Sequence, residues 1–260
     1  MKTDLLKINK RHIGSLVILP IIIALLVGSF LLKYLMLLIT LIAILEFSNA
    51  MSQKNINISK NLLIFFTILY YLFDFKNIYI IVLLLFILLL ISTLSKNNVL
   101  NISLSFFSFF YIIIPFSFII ILYNKNIYLP WIIFLSAWST DTMAYIIGKK
   151  FGKRKIVKHI SPNKTLAGFI GGLVSCVITI SLYGYLFGDK LNISIINVIF
   201  LGVCTGILGQ IGDLIASAIK RFSGIKDFGN LIPGHGGVLD RFDSILMISN
   251  AVFIFSEILM

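Results

Sequence analysis

The residues best suited to chemistry in this 260-residue chain are a few carboxylates with cations beside them in its last half. Asp213, Ser217 and Lys220 follow i, i+4, i+7, so a helix carries all three on one face. Asp213 lies six residues inside the end of an apolar run, 191–219. An ionisable group within such a run is costly and usually functional. The plain alternative is a buried Asp satisfied by its own helix and a neighbouring Lys. Downstream come Lys220, Arg221 and Lys226 with Asp227, then a Pro233-Gly-His235-Gly236-Gly237 turn, then Asp240-Arg241-Phe-Asp243 opening the last apolar segment. Glycines in a turn let backbone N–H groups approach an anion, and a helix start favours phosphate. Asp240 and Asp243, at i and i+3, project together from that first turn. Hard carboxylate oxygens suit Mg²⁺, which is typically shared with substrate phosphates. An Asp at a helix start also serves as a simple cap or dipole partner. With Asp213 as a third carboxylate and Lys220, Arg221, Lys226 and Arg241 around them, a metal–polyphosphate site is the favoured reading.

A second cationic stretch runs from Gly148 to Gly172 and holds Lys149, Lys150, Lys153, Arg154, Lys155, Lys158 and Lys164. Ser161-Pro162 has the form of an N-cap followed by Pro at the first helical position. That would put Lys164 and Thr165 on an anion-receptive helix start. The Lys149–Lys158 cations also fit a simple anchor on anionic lipid. His159 reads as a loop histidine without a role. His235 has the better case as a phosphate donor or proton-transfer group, and its spacing gives it no zinc-ligand partners. Gly168, Gly171, Gly172, Gly202, Gly206 and Gly209 have the spacing of close helix packing. Cys176 and Cys204, both in apolar runs, read as small packing residues.

The elements that must position these groups are membrane helices. Charged residues are only 12% of the chain, hydrophobic residues are 59% and the mean hydropathy is +1.04. Soluble domains average about 25% charged and about 45–50% apolar, so a soluble globule and a disordered chain are both excluded. An all-α polytopic protein is expected. Apolar runs at 13–30, 34–50, 61–73, 78–94, 102–122, 128–147, 166–187, 191–219 and 245–260 give about nine spans. With the N-terminus cytoplasmic and the sides alternating, 18 of the 22 Lys and Arg fall inside; Lys33, Lys76, Lys125 and Lys190 fall outside. Cytoplasmic loops are enriched in these residues, so the split supports the count and the orientation. The basic N-terminus reads as a retained first helix, since no signal-peptide cleavage site follows it. Residues 1–126 read as a greasy scaffold whose chief ionisable group is Glu46. Residues 127–260 read as the working half of one integral domain. No internal repeat is visible, which disfavours an inverted-repeat transporter.

The stretch Ser217-Ala-Ile-Lys220-Arg221…Lys226-Asp227…Pro233-Gly-His235-Gly236-Gly237-Val-Leu-Asp240-Arg241-Phe-Asp243 resembles the signature of the phosphatidate cytidylyltransferases, or CDP-diacylglycerol synthases. Asp141-Thr-Met-Ala-Tyr145-Ile-Ile-Gly148 and Ser161-Pro162-Asn-Lys164-Thr165 agree with it. The resemblance covers residues 131–260 specifically and the rest only as a hydrophobic scaffold. It implies the reaction of CTP with phosphatidate to give CDP-diacylglycerol and pyrophosphate, with Mg²⁺ and often a helper K⁺.

By that resemblance the catalytic candidates are Asp213, Asp240, Lys220, Arg221, Lys226 and Asp227. The substrate-binding candidates are Ser161, Lys164, Thr165, Ser217, His235, Gly236, Gly237, Arg241 and Asp141. Asp213, Asp240 and Asp243 are the metal candidates. One departure is visible: where the family usually shows Trp-Glu-Gly after Lys-Thr, this chain has Leu166-Ala167-Gly168. The expected partners are CTP, phosphatidate and the bilayer, with no nucleic acid, and a homodimer as the oligomer. The expected setting is a bacterial plasma membrane with the site at its cytoplasmic face. A CTP-dependent lipid-alcohol kinase would share the polyphosphate site. An ion-coupled transporter would line its carboxylates across the membrane, whereas here they gather at one mouth. A lipid-binding scaffold protein would use only the loop cations.

Overall fold

The computed structural model describes residues 18–73, 78–92, 98–232, 234 and 236–260. The helices are α1 (Ile18–Val27), α2 (Ser29–Ser52), α3 (Lys60–Leu72), α4 (Ile78–Ile91), α5 (Val99–Lys125), α6 (Leu129–Phe151), α7 (Leu166–Leu191), α8 (Ile195–Ser223) and α9 (Leu239–Leu259). Extended pairing among the described residues is limited to two isolated antiparallel bridges, Lys155 with Thr165 and Ile232 with Gly236. The all-α expectation therefore holds. Among the described residues five helices, α2, α5, α7, α8 and α9, are long and apolar enough to cross a membrane; Lys60–Leu72 and Ile80–Ile91 are shorter apolar helices. Helix α6 has the length, but its sequence runs through Pro, Ser, Thr and Asp residues.

Several expected boundaries move. The break between the first two helices falls at Gly28, whose φ of +138° favours glycine. Lys33, expected in an external loop, therefore sits inside α2. Helix α8 extends past its expected end to Ser223, so Lys220 and Arg221 occupy its last turn, where cations complement the helix dipole. Gly224, with φ +76°, turns the chain out of the helix. Helix α7 begins at Leu166, and its N-cap is Thr165, whose Oγ1 accepts from the Gly168 N–H at 3.1 Å. Ser161-Pro162 lies in the preceding turn and is not the cap, contrary to expectation. The expected start of the chain, including Lys2, Lys7, Lys10 and Arg11, lies outside the described residues, as do Lys76 and Lys96.

The chain forms two compact units. The first comprises Met1–Ile120 with Phe222–Arg241. Its core holds Phe47, Tyr70, Tyr71, Phe109 and Phe116. In α2 the Thr40 hydroxyl meets the Tyr71 hydroxyl at 3.1 Å, so a buried polar pair is satisfied away from water. Helix α5 contains one π turn, Phe109–Ile113, directly before Ile114-Pro115. Proline lacks an amide hydrogen and crowds the preceding turn, and the wider turn stands where that strain falls.

The second unit comprises Ile121–Arg221 with Phe242–Met260. Here the packing is glycine-driven. A Cβ on Gly168 would stand 2.7 Å from the Ala144 carbonyl, and one on Gly172 2.9 Å from the Thr140 carbonyl, so α6 and α7 meet backbone to backbone. Gly206 faces Cys176, which is buried, and Gly209 faces Ile248. Gly212 brings α8 against α9, its notional Cβ 2.7 Å from the Asp243 carbonyl oxygen. The opposite face of α7 is apolar and exposed at Ile170, Val174, Ile178 and Leu182. These residues repeat at i+4, and the side chains inward of them are small. That inversion suits a helix with lipid on its outside.

The segment between α6 and α7 is folded back on itself. The Ile156 N–H donates to the Lys164 carbonyl at 3.1 Å, the Leu166 N–H to the Arg154 carbonyl at 2.9 Å and the Ser161 N–H to the Val157 carbonyl at 3.0 Å.

Candidate active site

The candidate residues fall into two groups, one in each unit. In the second unit, Asp213 sits half-buried on α8. Its Oδ2 is 2.6 Å from Lys164 Nζ, and its Oδ1 accepts from Ser217 Oγ at 3.4 Å. The i, i+4 relation read from the sequence is thus realised. Both contacts of a structurally satisfied Asp are present, the second being the lysine just before the α7 cap. Lys164 Nζ also donates to the Gln210 carbonyl at 3.3 Å. Gln210 in turn anchors α7, its Nε2 donating to the Phe169 carbonyl at 3.1 Å. Arg221 Nε donates to the Ile160 carbonyl at 3.3 Å. The basic segment is therefore tied to the end of α8 at two points, Lys164 and Arg221.

Asp243 lies on the first turns of α9, where its Oδ1 accepts from the Ser244 N–H at 2.8 Å. It is within electrostatic reach of Asp213, Asp141 and Lys220. Asp141 is exposed on α6. The second unit thus gathers three expected carboxylates with Lys164 and Lys220. Ser161 is half-buried in the turn of the folded-back segment. Thr165 is buried and spends its hydroxyl on the helix cap, so its expected substrate contact has a structural competitor.

In the first unit the glycine turn and the start of α9 are organised by two buried carboxylates. Asp240 Oδ2 accepts from the Phe228 N–H at 2.7 Å and the Gly237 N–H at 2.9 Å. This oxygen is thereby committed to holding the loop. Glu46, on α2, accepts from the Val238 N–H at 2.9 Å through Oε1 and from the Leu239 N–H at 2.8 Å through Oε2. Both carboxylates are 7% exposed. The first amides of a helix have no intrahelical partner, and Glu46 supplies one from 192 residues away. Gly229 and Gly237 make room for it, since a Cβ on either would lie 2.5 Å from Glu46 Oε1. Gly236, with φ +86°, packs against Asp240 and Asp227. Lys226, Asp227 and Arg241 are exposed. His235 and Pro233 lie outside the described residues. His159 is exposed.

Sequence reasoning singled out neither Glu46 nor Gln210 for the site. The available signal for Glu46 was its isolation, as a carboxylate in a greasy helix.

The donor set of Asp141, Asp213 and Asp243 is all hard carboxylate oxygen, which fits a divalent cation such as Mg²⁺ better than a soft metal. Among the described residues, no three His, Cys, Asp or Glu side chains already converge as a metal-holding group.

The sequence profile of the Cytidylyltransferase family matches residues 9–259. Among similar proteins, the phosphatidate cytidylyltransferase of Staphylococcus saprophyticus is 39% identical over 165 residues, 63% of this chain and 63% of that protein. That of Bacillus subtilis is 46% identical over 111 residues, 43% of this chain and 40% of that protein. That of Staphylococcus epidermidis is 46% identical over 115 residues, 44% of each chain. The match therefore spans 63% of the length of the first of these relatives. With a family profile running over nearly its whole length, the chain belongs to the Cytidylyltransferase family.

Proposed function

We propose that this protein is a phosphatidate cytidylyltransferase, converting CTP and phosphatidate to CDP-diacylglycerol and pyrophosphate. The observation that carries the reading is the grouping of Asp213, Asp243 and Asp141 with Lys164 and Lys220 in the second unit. Family membership and the names of the relatives support it. In the reaction a phosphatidate oxygen forms a bond to the α-phosphorus of CTP. The bond from that phosphorus to the bridging oxygen breaks, and pyrophosphate leaves with the electron pair. Such a transfer depends on alignment and charge neutralisation rather than on a covalent protein intermediate. Lys164, Lys220 and Arg221 neutralise phosphate charge, with Lys226 and Arg241 assigned to the same task. The second phosphate ionisation, near pH 6, leaves the lipid phosphate largely deprotonated at neutral pH, so no strong general base is required. The turn formed by Gly236 and Gly237, with His235 and Asp227 in it, is assigned to the polyphosphate, and Ser161, Thr165 and Ser217 to substrate positioning.

Asp213 and Asp243 would hold Mg²⁺, with Asp240, one turn back along α9, as the further candidate ligand. When bound, the cation supplies charge neutralisation for the phosphates. A K⁺ beside it is part of the same proposal. We assign the protein nine spans, a cytoplasmic N-terminus, a bacterial plasma membrane, a cytoplasmic site and a homodimer. The positive-inside count of Lys and Arg is what supports the orientation.

The test is to incubate labelled CTP and phosphatidate with the full-length protein in detergent, with and without Mg²⁺. Formation of a CDP-lipid together with pyrophosphate is expected only with the cation. Release of CDP and a phosphorylated lipid alcohol would point to a kinase. No CDP-lipid under any cation would end the reading.

A further inference from the structure

We propose that Glu46 is a positioning residue for the cytidylyl transfer, holding the start of α9 and with it the Asp240 carboxylate. The proposal rests on the function proposed above, and it concerns a residue from the half of the chain expected to be scaffold.

Three observations carry it. First, the Glu46 carboxylate takes both the Val238 and Leu239 amides, one on each oxygen, at 2.9 and 2.8 Å. These N–H groups belong to the two residues directly before Asp240, so their direction fixes the backbone from which Asp240 projects. Second, the neighbouring backbone is shaped around this one side chain. Gly229 and Gly237 both face it, and a Cβ on Gly237 would meet both Glu46 oxygens at 2.5 Å. Third, Asp240 ties the same loop by a different route, through Phe228 and Gly237. Glu46 and Asp240 thus act on adjoining amides, Gly237 by one and Val238 and Leu239 by the other. Two buried carboxylates so near each other repel, and what offsets this is the set of four N–H donors they share out. A carboxylate in a span is expensive unless paired, and among the described residues both oxygens of this one are bonded to backbone amides.

Glu46 touches no substrate in this scheme. Its loss should act on the aim of groups used in the transition state. Misplacement by about 1 Å can cost on the order of 100-fold in rate. Glu46→Gln keeps the volume and one acceptor oxygen, but turns an NH₂ donor toward an N–H donor.

The test uses the full-length protein in detergent, with two readouts. For Glu46→Gln, kcat for CDP-lipid formation should fall by about 30- to 100-fold while KM for CTP changes by less than about 3-fold. Backbone hydrogen exchange at Val238 and Leu239 should accelerate by at least about 10-fold, with the other helices unchanged. Gly229→Ala should reproduce the kcat loss by displacing the carboxylate, since the three atoms nearest a Cβ there all belong to Glu46. In the Glu46→Ala background the same Gly229→Ala change should cost almost nothing further, because its clash partner is gone. Independent, additive losses for Gly229→Ala and Glu46→Ala would overturn the proposal. So would unchanged exchange in Glu46→Gln, or wild-type kcat despite faster exchange. Absence of CDP-lipid formation by the wild-type protein would instead sink the function reading, and exchange would then report separately whether Glu46 holds the helix start.

Discussion

At the scale of single residues, the site is a problem of how carboxylates are occupied. Asp213 shares its two oxygens between Lys164 and Ser217, and an asparagine would keep one acceptor oxygen for Lys164 while its NH₂ donates to the Ser217 hydroxyl. Asp213→Asn should therefore leave the fold in place. It would remove the charge that answers Lys164 and the proposed cation, and kcat should fall by about 100-fold or more. A CDP-lipid assay on the variant, with its melting temperature measured beside it, checks both halves of that statement. The Asp213–Ser217 pairing was legible in the sequence because helical periodicity alone places i and i+4 together. The clamp by Glu46 was not, because nothing local to residue 46 refers to residues 238 and 239. The same holds for Thr165. Ser161-Pro162 has the stronger local helix-start pattern, yet the pairing of residues 154–156 with 164–166 delays the start to Leu166.

At the scale of elements, glycines set how close the helices come. Gly212 admits the Asp243 backbone of α9 to α8, and a methyl group there would sit 2.7 Å from a carbonyl oxygen that cannot step aside. Gly212→Ala should destabilise the protein by about 1–3 kcal/mol and lower activity, since the helices it separates carry Asp213 and Asp243. Gly188, near the end of α7, is the internal control. Its nearest neighbour for a Cβ is 3.7 Å away, so Gly188→Ala should be neutral or stabilising by up to about 1 kcal/mol. Thermal unfolding of the two variants in one detergent separates the cases; equal behaviour would remove the packing argument. The small-residue spacing in the sequence forecast close helix contacts, but not which helix meets which. That pairing depends on side chains many residues apart, such as Ser136, which donates to Thr205 at 3.0 Å.

At the scale of the whole molecule, the charge count concerns two groups of helix ends within the second unit. Lys125 and Lys190, both expected outside, lie in segments that touch: Asn126 Nδ2 donates to the Lys190 carbonyl at 2.8 Å. Lys125 also pairs with Glu257 at 3.1 Å, at the far end of α9 from Asp243. Lys164, Arg221 and Asp213 gather around the other set of helix ends. Single cysteines placed at Lys190 and at Lys158, in a background lacking Cys176 and Cys204, should therefore label from opposite sides of intact cells. An impermeant thiol reagent is expected to reach position 190 only. Labelling of 158 alone would reverse the assigned orientation, and labelling of both would overturn the placing of the two positions on opposite sides. The all-helical character was legible from hydropathy alone, whereas the break between the first two expected spans fell a few residues early. Lys33 marked a loop by its charge, but Gly28, five residues earlier, makes the break by its backbone.

The folded-back segment between α6 and α7 has one further consequence, for how the chain can be cut. By sequence it is the richest stretch for a trypsin-like protease, with six cations between Lys149 and Lys158. By structure its two stems are stitched together at 154–156 and 164–166, and the exposed Lys158 and His159 lie in the tip between them. A protease needs an extended strand, and the stems are already engaged in pairing. Scission therefore belongs at the tip. A chain nicked there keeps both stems paired, with Lys164 still against Asp213 and Ile160 still bonded to Arg221. The most cleavable-looking segment of the protein is thus a seam along which it can be opened without coming apart.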